Sequence, residues 1–198
     1  DITTNPSSNK QNFADMDAFH PSDGTAGVTW SWKTSYAVIK AANDIINNAE
    51  KTPTSEDEKN IAIGQAKYWR ALNYFLLVKR FGPVPLNING DFDYNRPLTS
   101  VEDIYKQVVT DLQACITILP TKYKEEPRAI GGANIYITKQ AAQATLAAVY
   151  MAMAGWPLQK TEYYKEAAEL SKAVIDGVNS RIYEYILETD FKNVYAPS

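Results

Sequence analysis

The chain has 198 residues, of which 45% are hydrophobic and 22% charged, and its formal net charge is −3. This composition is typical of a folded globular chain and excludes intrinsic disorder. Lys and Arg form no basic block, so a nucleic-acid partner is not expected. The 13 Tyr and 4 Trp residues combine apolar faces with polar tips, which suits helix packing and stacking on sugars.

The single cysteine and the most apolar run exclude further kinds of site and segment. Cys115 is the only cysteine, so neither an internal disulfide nor a thiolate metal cluster is available. It falls between Leu112 and Ile116 on a predicted helix, which favours a small buried side chain over a reactive thiol. The most apolar run, residues 141–154, is too short to cross a bilayer.

The N-terminal part of the chain predicts a loop followed by a helix. Residues 1–29 are rich in Asn, Ser, Thr, Asp, Pro and Gly and show no apolar period, which is typical of an irregular segment. A first helix is predicted from about Trp32 to Glu50, because apolar residues recur there at helical spacing. Pro53 then interrupts the pattern.

The second helix carries start and stop signals at both ends. Ser55 and Glu58 form a capping box, in which each side chain satisfies a backbone N–H of the first turn. The helix is predicted to reach Phe81, where Gly82 ends it. Residues 68–81 are apolar nearly all round, which predicts burial on several sides.

The third helix is predicted after a loop over residues 84–98. Thr99 and Glu102 form a second candidate capping box, and Pro120 closes the helix. One face of this helix carries an apolar stripe at three- and four-residue spacing, formed by Val101, Ile104, Val108, Leu112, Ile116 and Leu119.

The last two helices follow a second long loop over residues 122–137. Thr138 is predicted to cap the fourth helix, which is Ala-rich, apolar all round and ended by Gly155. The fifth helix is predicted from Thr161 to Asp176, with Gly177 as its stop. Residues 181–198 show no pattern that places them.

Amphipathic helices therefore alternate with helices that are apolar all round, which is typical of stacked helix pairs. We expect the second and fourth helices to be the most buried. Most of the aromatic residues at helical spacing should lie in the core: Trp30, Trp32, Tyr36, Trp69, Tyr74, Phe75 and Phe81. Either Trp69→Ala or Leu146→Ala should then destabilise the fold by about 2–5 kcal/mol. The fifth helix is expected to lack a partner within the chain.

No catalytic constellation or cofactor motif is present, so we expect a binding protein and not an enzyme. His20 is the only histidine, and no nucleophile–base arrangement can be built from it with any specificity. Asp91, Asp93, Asn95 and Glu102 match the spacing of a calcium loop, but Arg96 occupies the position that requires Gly for its sharp turn. A metal is therefore not expected.

The first loop contains the candidate ligand-binding residues. An aromatic face stacks on the C–H surface of a sugar, while carboxylates and imidazole bond its hydroxyl groups. Both kinds of group occur together in the candidate site: Asp15, Asp17, Phe19, His20 and Asp23. The alternative is a surface loop whose Phe packs into the helical core.

Four blocks of the chain resemble the SusD/RagB family. Residues 66–86 read A-K-Y-W-R-A-L-N-Y-F-L-L-V-K-R-F-G-P-V-P-L, similar to a helix "R-A-L-x-Y-F-x-L-V" that runs into "F-G-x-V-P-L". Residues 32–46 resemble the family helix "W-x-x-x-Y-x-x-I-x-x-A-N". Residues 96–120 and 138–155 resemble its next two helices, and the four blocks follow the family order.

The resemblance implies an all-α fold of stacked antiparallel helix pairs of tetratricopeptide-like type, the SusD-like α superhelix. Residues 1–198 would be its N-terminal helical domain: an irregular segment 1–29, helix pairs over 30–177, and the start of a C-terminal part over 178–198. Family members bind oligosaccharides at the outer face of the outer membrane. A lipid anchor upstream of Asp1 and a SusC-type TonB-dependent transporter are the implied partners.

The resemblance leaves the ligand open. Some branches of the family, typified by RagB, bind peptides in place of oligosaccharides. A tetratricopeptide-like adaptor that holds only protein partners is a further alternative. The family's N-terminal ligand contacts fall just before the Trp-x-x-x-Tyr helix, which here means residues 12–29.

Overall fold

The computed structural model describes residues 18–89, 93, 95–124, 128–130 and 133–180. It divides into two compact units, Asp1–Cys115 and Ile116–Ser198. Within the described ranges there are five α-helices, as predicted: α1 Ala26–Asn48, α2 Glu56–Phe81, α3 Val101–Ile118, α4 Lys139–Ala154 and α5 Tyr163–Asn179. A 3-10 turn, Ala49–Lys51, follows α1, and there are two short antiparallel pairs, β1 (Val84–Pro85) with β2 (Leu98–Thr99) and β3 (Ala129–Ile130) with β4 (Ala133–Asn134).

Helix α1 begins earlier than predicted, because a buried threonine turn starts it. Thr25 is extended, with φ −66° and ψ 117°, and only 1% exposed. Its carbonyl accepts hydrogen bonds from the backbone N–H groups of Val28 and Thr29, at 3.0 and 3.1 Å. The apolar period that marks the helix begins only at its first buried turn, so the sequence pattern missed this start.

The ends of α2 and α4 confirm the predicted caps. The Ser55 hydroxyl accepts the backbone N–H of Glu58 at 3.3 Å, and Gly82 follows Phe81 with a φ of +70°. That left-handed conformation suits a residue without a Cβ. The Thr138 hydroxyl accepts the backbone N–H of Ala141 at 3.4 Å.

The predicted cap of α3 was wrong by one residue. Thr99 lies in β2, where it pairs with Val84, so it is part of a strand and does not cap the helix. Ser100 caps α3 instead: its hydroxyl accepts the backbone N–H of Asp103 at 3.1 Å and donates to the Asp103 carboxylate at 2.7 Å. The segment predicted as a loop over residues 84–98 therefore starts with strand β1 and ends in strand β2, which pair with each other.

The first unit is built from three antiparallel helices. Side-chain contacts join the start of α1 to the end of α2, from Ser31 to Arg80, and the 3-10 turn after α1 to the start of α2, from Glu50 to Lys59. Helix α3 runs back along α2, since three contacts proceed in opposite directions along the two helices: Cys115 with Gly64, Asp111 with Arg70, and Tyr105 with Phe75.

The core confirms the burial order but corrects the prediction for Trp69. Helices α2 and α4 bury the most side chains, and Leu146 is only 2% exposed. Trp69, predicted in the core, is 45% exposed, and Trp30, another of the aromatic residues at helical spacing, is 70% exposed. Because Trp69 is only half-buried on α2, we expect Trp69→Ala to cost less than a core truncation.

The second unit corrects the prediction that the fifth helix has no partner. Helix α5 packs on α4, and the rings of Tyr150 and Tyr163 stack with centroids 5.0 Å apart at an interplanar angle of 6°. Gly177 does not stop α5: it is buried within the helix, which continues to Asn179. A helix-compatible backbone at Gly177 makes it a small packing residue and not a cap.

Candidate functional site

The structure places three of the five predicted site residues on the surface before α1. Phe19 is 91% exposed and has a φ of +56°, while His20 and Asp23 are also exposed. Asp15 and Asp17 lie outside the described residues. The structure does not gather Phe19, His20 and Asp23 into a pocket, and the possibility that Phe19 packs into the helical core is wrong.

Hydrogen bonds anchor the end of this segment to α1. The Ser22 backbone N–H donates to the Thr25 hydroxyl at 2.9 Å, and the Thr25 N–H donates back to the Ser22 carbonyl at 3.0 Å. The Thr29 hydroxyl donates to the Asp23 carbonyl at 2.9 Å. The exposed Phe19 ring is therefore carried by a segment whose end is fixed on the helix.

Trp30 is exposed, unlike most of the aromatic residues at helical spacing. Trp32, two residues later, packs edge-on against Phe81 with ring centroids 5.1 Å apart. Residues two positions apart lie about 200° apart around a helix, so only one of the two tryptophans can face α2. This spacing was the signal that could have identified Trp30 as a surface residue.

A groove of about 460 Å³ runs along α1 in the first unit. Helix α1 forms one wall through Trp32, Lys33, Tyr36, Ala37 and Lys40. The opposite wall is formed by the part of the chain that comes after α2 in the sequence and contains Pro85, Asn87 and Asp93. Of the predicted site residues that the structure describes, Phe19, His20 and Asp23, none lines this groove.

Aromatic contacts and one hydrogen bond fix the α1 wall. The rings of Trp32 and Tyr36 lie 5.0 Å apart, and Tyr36 meets Tyr74 edge-on at 6.4 Å. The Tyr36 hydroxyl donates to the Pro85 carbonyl at 2.8 Å and so joins both walls. Burial raises the pKa of Tyr36 well above its usual value, so the hydroxyl keeps its proton at physiological pH.

The opposite wall is held by Tyr74, one of the aromatic residues at helical spacing, which is fully buried. The Tyr74 hydroxyl donates to the Asn87 carbonyl at 2.9 Å and accepts the Asn87 N–H at 2.6 Å. The Asn43 amide donates to the same carbonyl at 2.9 Å. Burial raises the pKa of Tyr74 as well, which preserves the proton that this bond requires.

A buried ion pair supports the same wall from below. The Arg70 guanidinium donates to both carboxylate oxygens of Asp111, at 2.8 and 2.7 Å, and also to the Asn43 amide oxygen at 2.8 Å and the Ile88 carbonyl at 3.2 Å. This one side chain therefore ties α1, α2, α3 and the segment after β1 together. Bidentate pairs of this kind fix geometry as well as charge.

The described residues that match the spacing of a calcium loop make other contacts. The Asp93 carboxylate accepts the Asn95 backbone N–H at 2.8 Å, and Glu102 pairs with Lys106 at 3.4 Å. Asp91 lies outside the described residues. No group of three or more potential metal-ligating side chains occurs in the part of the chain that the structure describes.

None of the helices that the structure describes combines the length and apolar character of a membrane span.

The antiparallel helix pairs define a tetratricopeptide-like helical scaffold. Residues 2–151 match the model of a family described as starch-binding and associating with the outer membrane. The chain belongs to this SusD-like family, and the all-α, tetratricopeptide-like fold predicted from the sequence is confirmed.

Relatives and solved structures agree with this membership. The SusD-like protein P2 of Formosa agariphila is 28% identical over 186 residues, covering 91% of this chain and 33% of the relative. A SusD-like protein of Bacteroides ovatus is 33% identical over 132 residues, covering 64% of this chain and 22% of the relative. This chain therefore spans a third or less of the length of these relatives.

A structure solved with a xylogluco-oligosaccharide superposes on this chain with a TM-score of 0.78 and 25% identity. That comparison covers 96% of this chain and 36% of the other protein. A SusD superfamily protein from Parabacteroides distasonis has the same TM-score at 27% identity, over 92% of this chain and 37% of its own.

Proposed function

We propose that this chain is the helical part of a cell-surface protein that binds oligosaccharide and delivers it to a SusC-type TonB-dependent transporter. The observation that carries the proposal is membership of a starch-binding, outer-membrane-associated family, together with a similar structure that contains a xylogluco-oligosaccharide. The protein would be held at the outer face of the outer membrane by a lipid anchor, and it would bind its ligand without chemical conversion.

We assign the first contacts with sugar to the segment that precedes α1 and to Trp30 near the start of α1. Phe19 and Trp30 present the aromatic faces, since both rings are largely exposed and such faces stack on sugar C–H groups. Hydroxyl groups of the sugar would bond to His20 and to the carboxylates of Asp15, Asp17 and Asp23, which accept such bonds. The hydrogen bonds that anchor the segment at Thr25 support this assignment.

Calorimetric titration of the full-length protein with malto- and xylogluco-oligosaccharides tests the proposal. Either Phe19→Ala or Trp30→Ala should weaken binding by about 0.5–1.5 kcal/mol, the contribution of one aromatic face. Trp156→Ala is a matched control, because Trp156 is also an exposed tryptophan, at 83%, but lies between α4 and α5. Unchanged affinity in both site variants would show that this segment is not the site.

The two alternatives give different results in the same titration, and a separate incubation with oligosaccharide tests whether the protein is an enzyme. A peptide-binding, RagB-like member would show heat with peptides and none with saccharides. A protein adaptor would show heat with neither. Shortened oligosaccharide after long incubation would show that the protein cleaves its ligand and would contradict simple binding.

A further inference from the structure

The groove along α1 has the size and lining of a ligand site, and Phe19, His20, Asp23 and Trp30 do not line it. Its volume of about 460 Å³ falls within the roughly 300–1,000 Å³ of small-molecule sites. Trp32, Tyr36 and Pro85 supply an apolar surface, whereas Lys33 and Asp93 supply charged groups at opposite walls.

The groove continues the helix face that carries the exposed Trp30. Residues at spacings of three, four and seven share one face of a helix, so Trp30, Lys33 and Ala37 form one row. At about 1.5 Å of rise per residue, Trp30 and Ala37 lie about 10.5 Å apart along the axis, which exceeds the length of one pyranose ring. A saccharide stacked on Trp30 and extending along α1 would therefore enter the groove.

The chemistry of the two walls matches the two kinds of surface on a pyranose ring. The aromatic side of the groove suits its apolar C–H face. The Lys33 ammonium has three donors and is engaged by no hydrogen bond or ion pair among the described residues, in contrast to Lys40, which pairs with Asp44 at 3.0 Å. Across the groove, the Asp93 carboxylate retains acceptor capacity beyond its bond to Asn95.

The groove is also preorganised. The Tyr36 hydroxyl bridges the walls through Pro85, and Tyr74 and Asn43 fix the backbone of Asn87. A ligand entering such a groove orders few protein groups, and this lowers the entropic cost of binding.

We propose that the groove binds further sugar units of an oligosaccharide whose first unit stacks on Trp30. The proposal rests on the oligosaccharide-binding function proposed above and assigns an additional subsite to it. Its consequence is that affinity increases with oligosaccharide length, because only a longer chain reaches both Trp30 and the groove.

The test compares Ala37→Arg with Ala41→Arg in the full-length protein. Ala37 lines the groove, whereas Ala41 is an exposed alanine on the next turn that does not line it. Both variants add the same side chain and charge to the same helix. Calorimetry with maltose, maltohexaose and a xylogluco-oligosaccharide measures affinity, and thermal melts confirm folding.

We expect the parent to bind the longer saccharides more tightly than the disaccharide. Ala37→Arg should weaken binding of the longer saccharides by roughly two- to tenfold, the effect of losing about one aromatic face contact, and leave the disaccharide unchanged. Ala41→Arg should behave as the parent does.

Several outcomes would overturn the subsite while leaving the proposed function intact. These are equal affinity of the parent for short and long saccharides, no effect of Ala37→Arg, equal losses in both Arg variants, or an equal loss for short and long saccharides. Absence of saccharide binding by the parent would contradict the proposed function itself, so the two failures are distinguishable.

Discussion

Replacing Asp111 by Ala tests whether the buried ion pair organises the first unit. The Arg70 and Asp111 side chains are only 6% and 2% exposed, so neither charge is solvated by water. Removing the carboxylate leaves a buried guanidinium with two of its N–H donors unpaired. Breaking a buried pair in this way typically destabilises a protein by about 3–5 kcal/mol, which is the loss we expect.

Two comparisons separate the effect of burial from the effect of charge. Asp44→Ala removes an ion pair of similar length, Lys40–Asp44, whose side chains are 51% and 49% exposed, and it should change stability by no more than about 1 kcal/mol. The double variant Arg70→Met/Asp111→Leu removes both buried charges and should recover most of the loss, because no unpaired charge remains.

Urea unfolding of the full-length protein, followed by circular dichroism, measures these differences. A loss for Asp111→Ala no larger than that for Asp44→Ala would refute the role assigned to burial. A double variant as unstable as the single one would show that the loss arises from packing and the lost hydrogen bonds, not from an unpaired charge.

Three further predictions concern the helices. Leu146→Ala should destabilise the protein by about 2–5 kcal/mol and Trp69→Ala by clearly less, since Trp69 is 45% exposed; equal urea midpoints for the two would contradict the core described here. Ser100→Ala should cost about 0.5–2 kcal/mol through loss of the α3 cap, and a melt within error of the parent would disprove that cap. Burial raises the pKa of Cys115 to about 12, so a thiol reagent at pH 8 should label it only after unfolding. Because the folded pKa exceeds the unfolded one, the contribution of Cys115 to stability is full below the unfolded value and falls as pH rises towards 12; rapid labelling of the native protein would contradict its burial.

Local sequence signals predicted the helices well, but they did not predict the contacts between segments that lie far apart in the sequence. The caps at Ser55 and Thr138 were correct because a cap depends on residues three positions apart. The α3 cap was misplaced because Thr99 is recruited by Val84, a partner that lies 15 residues away in sequence and leaves no local mark.

The buried ion pair between Arg70 and Asp111 was not predicted from the sequence. Arg70 sits within the apolar half of α2, and Asp111 directly precedes Leu112 of the apolar stripe on α3. A charge inside a buried helix segment requires a partner, so these positions carried a signal for pairing. Their separation of 41 residues prevents any local pattern from identifying which partner it is.

The sequence predicted which segment carries the candidate site, but not how its side chains are arranged in space. The composition of residues 12–29 pointed to exposed polar and aromatic groups, and Phe19 is indeed exposed. The groove could not be foreseen, because it depends on how the chain after α2 returns to α1. Such a return is set by Tyr36, Tyr74 and Asn87, which read in sequence as ordinary helix and loop residues.

The side chain of Asn87 joins the two ends of the chain between Asn87 and Asp93 through two hydrogen bonds. Its amide donates to the Asp93 carbonyl at 3.2 Å and accepts the Asp93 N–H at 3.1 Å, so one side chain imitates the paired bonds of two strands. With both ends clamped, doubling the number of residues between them would add only about 0.6 kcal/mol of closure entropy. A longer chain between Asn87 and Asp93 would therefore cost little stability, and these two residues would stay paired.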